Sequence, residues 1–395
     1  MSGIPPGSLV DRSLDLILQH QDSGGAFPAA PGYPTYRYSW IRDGSFIADA
    51  LDRYGHHDAA AAFHRWTART IEQRRTRIDR LAALEPGERP PERLILPTRY
   101  GLDGSDPSPD WGNFQLDGYG FWLTGISRHL HAAGSDPAPY IGAIRTVVDY
   151  LTLTWRAPCF DCWEEYPNRH HTTTLAAISK GLLNAADLLQ DADIAATAAA
   201  VLEELTTHGT NNEALIKFAD PEPANATPQV QTEPTEPAAV AGHEHPGKTL
   251  APNAIDASAL VVIGAFGPIT ATSPVAAATL AKIESELVVD GGVRRYIGDE
   301  YYGGGLWVLL SGALATVLAE RDEPDAARFV LTWIEAQADP FGNLPEQVPI
   351  ALQYPDLYQP WVDRWGPIGK PLLWSHAMYL TAVAALRTKE ASRLL

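Results

Sequence analysis

Apolar residues recur three and four positions apart through most of the chain. The segments 46–75, 118–133, 140–155, 172–189 and 194–206 each present one apolar face at helical spacing. So do 254–265, 274–288, 304–320, 326–338 and 372–387. Strict alternation of apolar and polar residues is scarce and brief, which predicts few strands. Ten or more helices of ordinary length predict an all-α stack of helical hairpins. A closed ring of such hairpins would gather its connecting loops at one end, and those loops hold most of the Trp, Gly, Pro and acidic residues.

One stretch breaks the pattern. Residues 219–252 are rich in Pro, Thr, Glu and Ala with almost no apolar anchors, so they read as a flexible surface insertion. Helices on both sides are alike, so residues 1–395 read as one domain containing that insertion. The sequon at Asn225 and the pair His243 and His245 lie inside it. Neither matches the context of a modification or zinc site, since His-Glu-His is not the His-Glu-x-x-His pattern.

Composition narrows the function. Of 395 residues, 45% are hydrophobic and 20% charged, enough to bury a large core. Thirty basic residues against 48 acidic ones give a formal charge of -18, which argues against nucleic-acid partners. The one basic run, 69–80, reads as a solvated helix face. No basic-then-apolar leader opens the chain and no apolar run reaches 18 residues, so a cytoplasmic protein with no membrane partner is expected. Two cysteines give no disulfide framework.

Residues 158–171, PCFDCWEEYPNRHH, concentrate candidate chemistry. Cys159 and Cys162 could be packing residues, half of a zinc site, or a redox pair. A zinc site wants four ligands at a known spacing, and a redox pair wants a strand–helix context, so packing is the simplest reading. Trp163-Glu164-Glu165 places a carboxyl beside an indole and a like charge, which is how a general acid's pKa is raised. Two acidic residues opening a helix would look the same. A second carboxylate, Glu346, lies in FGNLPEQV on a loop constrained by Gly and Pro. Two carboxylates from distant loops, each beside aromatics, are what glycoside hydrolysis requires. Three further clusters pair aromatic platforms with charged or amide groups: YRYSWIRDG at 36–44, WGNFQLDG at 111–118 and RRYIGDEYYGGGLW at 294–307. Trp stacks on a sugar's C–H face while Asp, Arg and Gln pair with its hydroxyls. Buried aromatics over ion pairs would be the plainer interpretation of any single cluster.

Taken in order, YxYxWxRDG, WGxxQxDG, DxWEE, RYxxDxYxGGxxW, LPEQ and LxWSHA resemble glycoside hydrolase family 15, the glucoamylase, glucodextranase and isomaltose glucohydrolase group, from Tyr36 to about Leu380. The resemblance implies an (α/α)6 barrel. It implies Glu164 as general acid and Glu346 as the general base that activates water, with Glu165 a sugar-binding or tuning neighbour. Arg42 and Asp43 would hold the terminal glucose, Trp40, Trp111, Trp163 and Trp374 would wall the pocket, and Gln115 would join the sugar contacts. Arg295 would pair with a hydroxyl near the cleaved bond, and Tyr36 would lie near the anomeric carbon. The sequence departs from the family's pattern at Cys162 and at 167–171, beside the leaving group. The implied activity is an inverting exo-acting α-glucosidase on short oligosaccharides, α-1,6 preferred, with α-1,4 and trehalase activity as alternatives. It needs no metal or organic cofactor. A non-catalytic sugar binder and a phosphorylase on the same scaffold are the other readings. The carboxylate pair weighs against the first, and a base where phosphate would sit weighs against the second.

Overall fold

The computed structural model describes residues 6–109, 111–220, 250–251 and 253–393. Thirteen α-helices occur among them: α1 (Pro6–His20), α2 (Ile41–Arg53), α3 (His57–Glu72), α4 (Arg75–Leu81), α5 (Asp117–Ala133), α6 (Ile141–Thr154), α7 (Thr172–Leu189), α8 (Ala192–His208), α9 (Pro274–Glu286), α10 (Val308–Glu320), α11 (Pro324–Ala336), α12 (Pro355–Trp365) and α13 (Leu373–Arg393).

They pack as two concentric layers. The inner ring runs α2, α5, α7, a short 3-10 stretch (Ala257–Val262), α10 and α13, and α13 closes back on α2. The outer members are α1, α3, α6, α8, α9 and α11, each laid against inner neighbours. Six inner and six outer positions make the (α/α)6 barrel. Sequence dictates the layer. In α10, VLLSGALATVLAE, residues are buried all around, as an element enclosed on every side must be. In α11 only Ala327, Val330, Leu331 and Ile334 are buried, a single stripe facing inward. Inner helices come unusually close where glycines meet: a Cβ on Gly181 would lie 2.5 Å from the Gly120 carbonyl oxygen.

Short antiparallel ladders decorate one mouth of the barrel. Strand β1 (Ser39–Trp40) pairs with β2 (Arg99–Tyr100), and β3 (Thr210–Asn211) with β4 (Ala214–Leu215). Strands β5 (Val288–Val289), β6 (Gly292–Val293), β7 (Leu306–Trp307) and β8 (Gln347–Val348) form one four-stranded sheet in that order. Each is two residues long, which fits the brief alternation in the sequence.

Several elements differ from the periodic pattern. The span 46–75 is two helices, broken where Gly55 takes φ +80. The span 254–265 yields only the 3-10 stretch: Val261, Val262 and Ile263 are β-branched, and Gly264 at φ +99 ends it. Helices α1 and α12 lie outside the predicted set; Pro355 and Pro360 make α12 read as irregular chain. The basic run is not a solvated face throughout, since Arg74 is buried over the Tyr100 ring and bonds Asp106. Of the insertion expected over 219–252, residues 221–249 and 252 lie outside the described residues. Its first two positions belong to the barrel: Ala219 is buried, and Asp220 binds Arg169 and His170. Among the described residues no helix is long and apolar enough to cross a membrane.

Candidate active site

Residues at the starts of the inner helices converge at the mouth that carries the ladders. The β1–β2 ladder sets Trp40 opposite Arg99, and the chain turns from β1 straight into α2. Arg42 and Asp43 therefore occupy the first turn of α2, at its positive dipole end. Both are buried. Arg42 Nη1 donates to Gln115 Oε1 at 2.9 Å and meets Asp117 at 3.2 Å, while its Nε lies 3.6 Å from Asp43. Burial pushes the Asp43 carboxyl up to about 7 against the pull of Arg42.

Glu164 lies on a turn rather than a helix start. Asp161 organises it: its Oδ1 accepts from the backbone N–H of Trp163 and Glu165, and its carbonyl accepts from Glu164 N–H. Asp161 Oδ2 in turn binds Lys217 Nζ at 2.8 Å, and Lys217 also binds Asp256. Asp256 accepts from the Trp163 indole at 3.0 Å, so one buried Lys and two Asp clamp both ends of the loop. The clamp holds Glu164 at φ +67 and Tyr166 at φ +51, left-handed backbone that L residues adopt at a cost. Glu164 Oε1 accepts from the Trp40 indole at 2.8 Å. Glu165 points elsewhere, onto the Tyr296 hydroxyl and Arg295 Nη2, and burial reinforced by Asp161 pushes its carboxyl up to about 7 against Arg295 and Lys217. Cys159 and Cys162 are buried free thiols, pushed up by burial, and pack as small apolar groups.

Glu346 sits one residue before β8, whose pairing with β7 fixes its register. Its backbone N–H donates to Gly369 and its carbonyl accepts from Val308. Helix α13 pins the loop from behind. Ser375 Oγ donates to the Pro345 carbonyl, and Leu344 N–H donates to His376 Nε2 at 3.0 Å. That assigns the His376 proton to Nδ1, which faces Ser13 Oγ at 2.9 Å, and burial lowers the imidazole to about 3, so it stays neutral. Glu346 is 6% exposed, and its Oε2 has no hydrogen-bond partner among the described residues. Burial pushes its carboxyl up to about 8, opposed by Arg295 and by a hydrogen bond from Tyr36, and reinforced by the charges of Glu164 and Asp43. Tyr36 is itself steadied by Tyr301, hydroxyl to hydroxyl at 2.7 Å.

The two glutamates thus lie near one another, linked through Trp40 and Tyr36, whose rings meet edge-on at 5.7 Å. Trp111 meets Trp40 at 5.9 Å, Trp374 stacks on Phe46 beneath Arg42, and Trp163 meets Trp307 at 5.3 Å. Arg295 is bidentate on Asp299 and lies over four aromatic rings. Several buried polar atoms here make no hydrogen bond within the described residues: Arg42 Nε and Asp43 Oδ1, which meet only as an ion pair at 3.6 Å, Glu346 Oε2, and the indole N–H groups of Trp111, Trp307 and Trp374. Buried donors and acceptors left open around aromatic faces suit a polyhydroxylated ring. Gln115 differs from its expected role. It is fully buried, its Oε1 accepts from Arg42 and Thr98, and its amide donates to Gly112, so it orients Arg42. The supporting residues Lys217, Asp256, Ser375, His376 and Tyr301, together with Arg99 set 3.7 Å over Trp111, carry no individual assignment in the sequence reading. Tyr301, Ser375 and His376 fall inside quoted motifs, which was the available signal.

Known proteins share this arrangement of chain. An isomaltose glucohydrolase of Kribbella flavida is 39% identical over 380 residues, covering 94% of this chain and 91% of that protein. A solved glycosidase superimposes with a TM-score of 0.84 at 38% identity, covering 96% of each chain, and a variant glycosidase in complex with glucose matches equally. The glucoamylase of Saccharomycopsis fibuligera shares the fold with a TM-score of 0.67 at 16% identity. Residues 7–350 match the pattern of glycosyl hydrolases family 15. The chain belongs to that family and is a glycoside hydrolase.

Proposed function

We propose that the enzyme releases β-glucose from the non-reducing end of short α-glucosides, with inversion and with isomaltose-type α-1,6 linkages preferred. One observation carries the reading: Glu164 and Glu346 lie close enough for their charges to interact, joined through Trp40 and Tyr36, among aromatic rings and buried polar atoms that make no hydrogen bond within the described residues. Protonated Glu164 donates to the glycosidic oxygen as the bond to C1 breaks. Ionised Glu346 takes a proton from a water molecule that attacks C1 from the opposite face. Carboxyl groups about 6.5–9.5 Å apart leave room for that water. Arg42 and Asp43 hold hydroxyls of the departing glucose, Trp40, Trp111 and Trp374 exclude bulk water around its ring, and Arg295 with Glu165 borders the leaving group. The α-1,6 preference is supported by the likeness to the Kribbella enzyme.

Proton NMR during the first minutes of isomaltose turnover tests the mechanism. β-Glucose should appear first and mutarotate afterwards; initial α-glucose rejects inversion. Glu164→Gln should keep substrate binding and lower kcat by about 10²–10⁴-fold. Initial rates on isomaltose, maltose and trehalose then rank the linkages.

A further inference from the structure

The ring has a second concavity at its other end. Asp49 and Arg53 from the last turns of α2, Arg128 and His131 from the end of α5, and Lys180 and Asn184 from α7 line a cleft of about 410 Å³. Arg42 opens α2 in the catalytic pocket and Arg53 closes it here. At 1.5 Å per residue, roughly 15 Å of helix separates the two sites.

The cleft is rich in unused donors and poor in unused acceptors. Asp49 Oδ2 accepts from Arg53 Nε at 2.8 Å and Oδ1 from Arg128 Nε at 2.7 Å. Burial would raise this carboxyl, but the two guanidinium groups outweigh it and hold Asp49 below its ordinary range. Asp52 is engaged by His57 at 2.8 Å and His129 at 2.9 Å. Glu320, at the end of α10, feels the charges of Arg53 and Arg128 without lining the cleft. Each arginine binds Asp49 through Nε alone. Among the described residues, the terminal nitrogens of Arg53 and Arg128 make no hydrogen bond, and the Lys180 ammonium and the Asn184 amide make neither a hydrogen bond nor an ion pair. Lys180 is half-buried, in a chain with 48 acidic residues that could have supplied it a carboxylate.

We propose that this cleft binds a small phosphate-bearing ligand, free phosphate or a phosphorylated monosaccharide. Two guanidinium forks and an ammonium match the oxygens of a tetrahedral dianion, and guanidinium groups bind phosphate in bidentate fashion. The volume admits a sugar ring beside the phosphate, where Asn184 and His131 can meet hydroxyls.

Thermal melting of the intact protein at constant ionic strength, with chloride as the reference anion, tests the site. Inorganic phosphate or glucose 6-phosphate at saturating concentration should raise Tm by at least about 2 °C. The rise should vanish in Lys180→Glu, a side chain with no protein partner to lose, while its isomaltose kcat/KM without added anion stays within about twofold of wild type. A response to both probes assigns the phosphate as the recognised group, and a response to the ester alone adds the sugar. No shift with either probe, or an undiminished shift in Lys180→Glu, overturns the proposal.

Discussion

Glu346 joins function and stability in one side chain. Its carboxyl is raised to about 8 by burial, with Glu164 and Asp43 adding to the effect, so the folded protein holds a proton there that the unfolded chain releases above about pH 4.3. Folded stability from this group is therefore present in acid and is lost as pH rises toward 8. The proposed mechanism needs the opposite state, because Glu346 as the base must be ionised. Activity should climb through the range in which stability falls. Glu346→Gln removes the conflict: at pH 8 it should be more stable than wild type by about 1–3 kcal/mol, and the difference should vanish near pH 4. Urea unfolding at the two pH values checks this. Turnover should be lost at both, and the acid limb of the wild-type kcat/KM profile should follow Glu346.

Helix contacts set the next scale. Gly181 of α7 and Gly120 of α5 meet backbone to backbone, and a methyl group there would lie 2.5 Å from a carbonyl oxygen that cannot rotate away. Gly181→Ala should force the helices apart and cost about 2–3 kcal/mol, read as a lower urea midpoint with an unchanged slope. Gly125→Ala is the control. Its Cβ would meet ordinary contacts at 3.6 Å, so helix propensity should make it neutral or stabilising by up to about 1 kcal/mol. The same helices show how far sequence reading reaches. Helical spacing announces α5, α7, α8 and α10 because burial on one or all faces writes itself every three or four residues. It passes over α12, whose prolines disguise a short helix without a buried residue, and it overstates 254–265, where β-branched residues favour a tighter turn. Glu164 and Glu346 are legible because each lies in a dense motif. Lys217 and Asp256 are not: a lone Lys and a lone Asp say nothing about which loop they will meet, and 39 positions separate them in the chain.

For the whole molecule, the barrel is a ring of five α-helices and one weaker member. Ala257–Val262 fills the fourth inner position with six 3-10 residues, whose hydrogen bonds are poorer than those of its neighbours. The residue capping that stretch is Asp256, and the same carboxylate anchors Trp163 and Lys217 behind Glu164. The left-handed backbone at Glu164 and Tyr166 therefore depends on the least cooperative arc of the wall. Warming should slacken that arc before the ring melts. Amide exchange at 257–262 should outpace that of α5 and α10. Loss of glycosidase activity should begin several degrees below the loss of far-ultraviolet helical signal, and it should reverse on prompt cooling. The Glu164 loop, the proposed proton donor, would then be the first part of the enzyme to fail and the first to return, making this short arc a thermal fuse for catalysis.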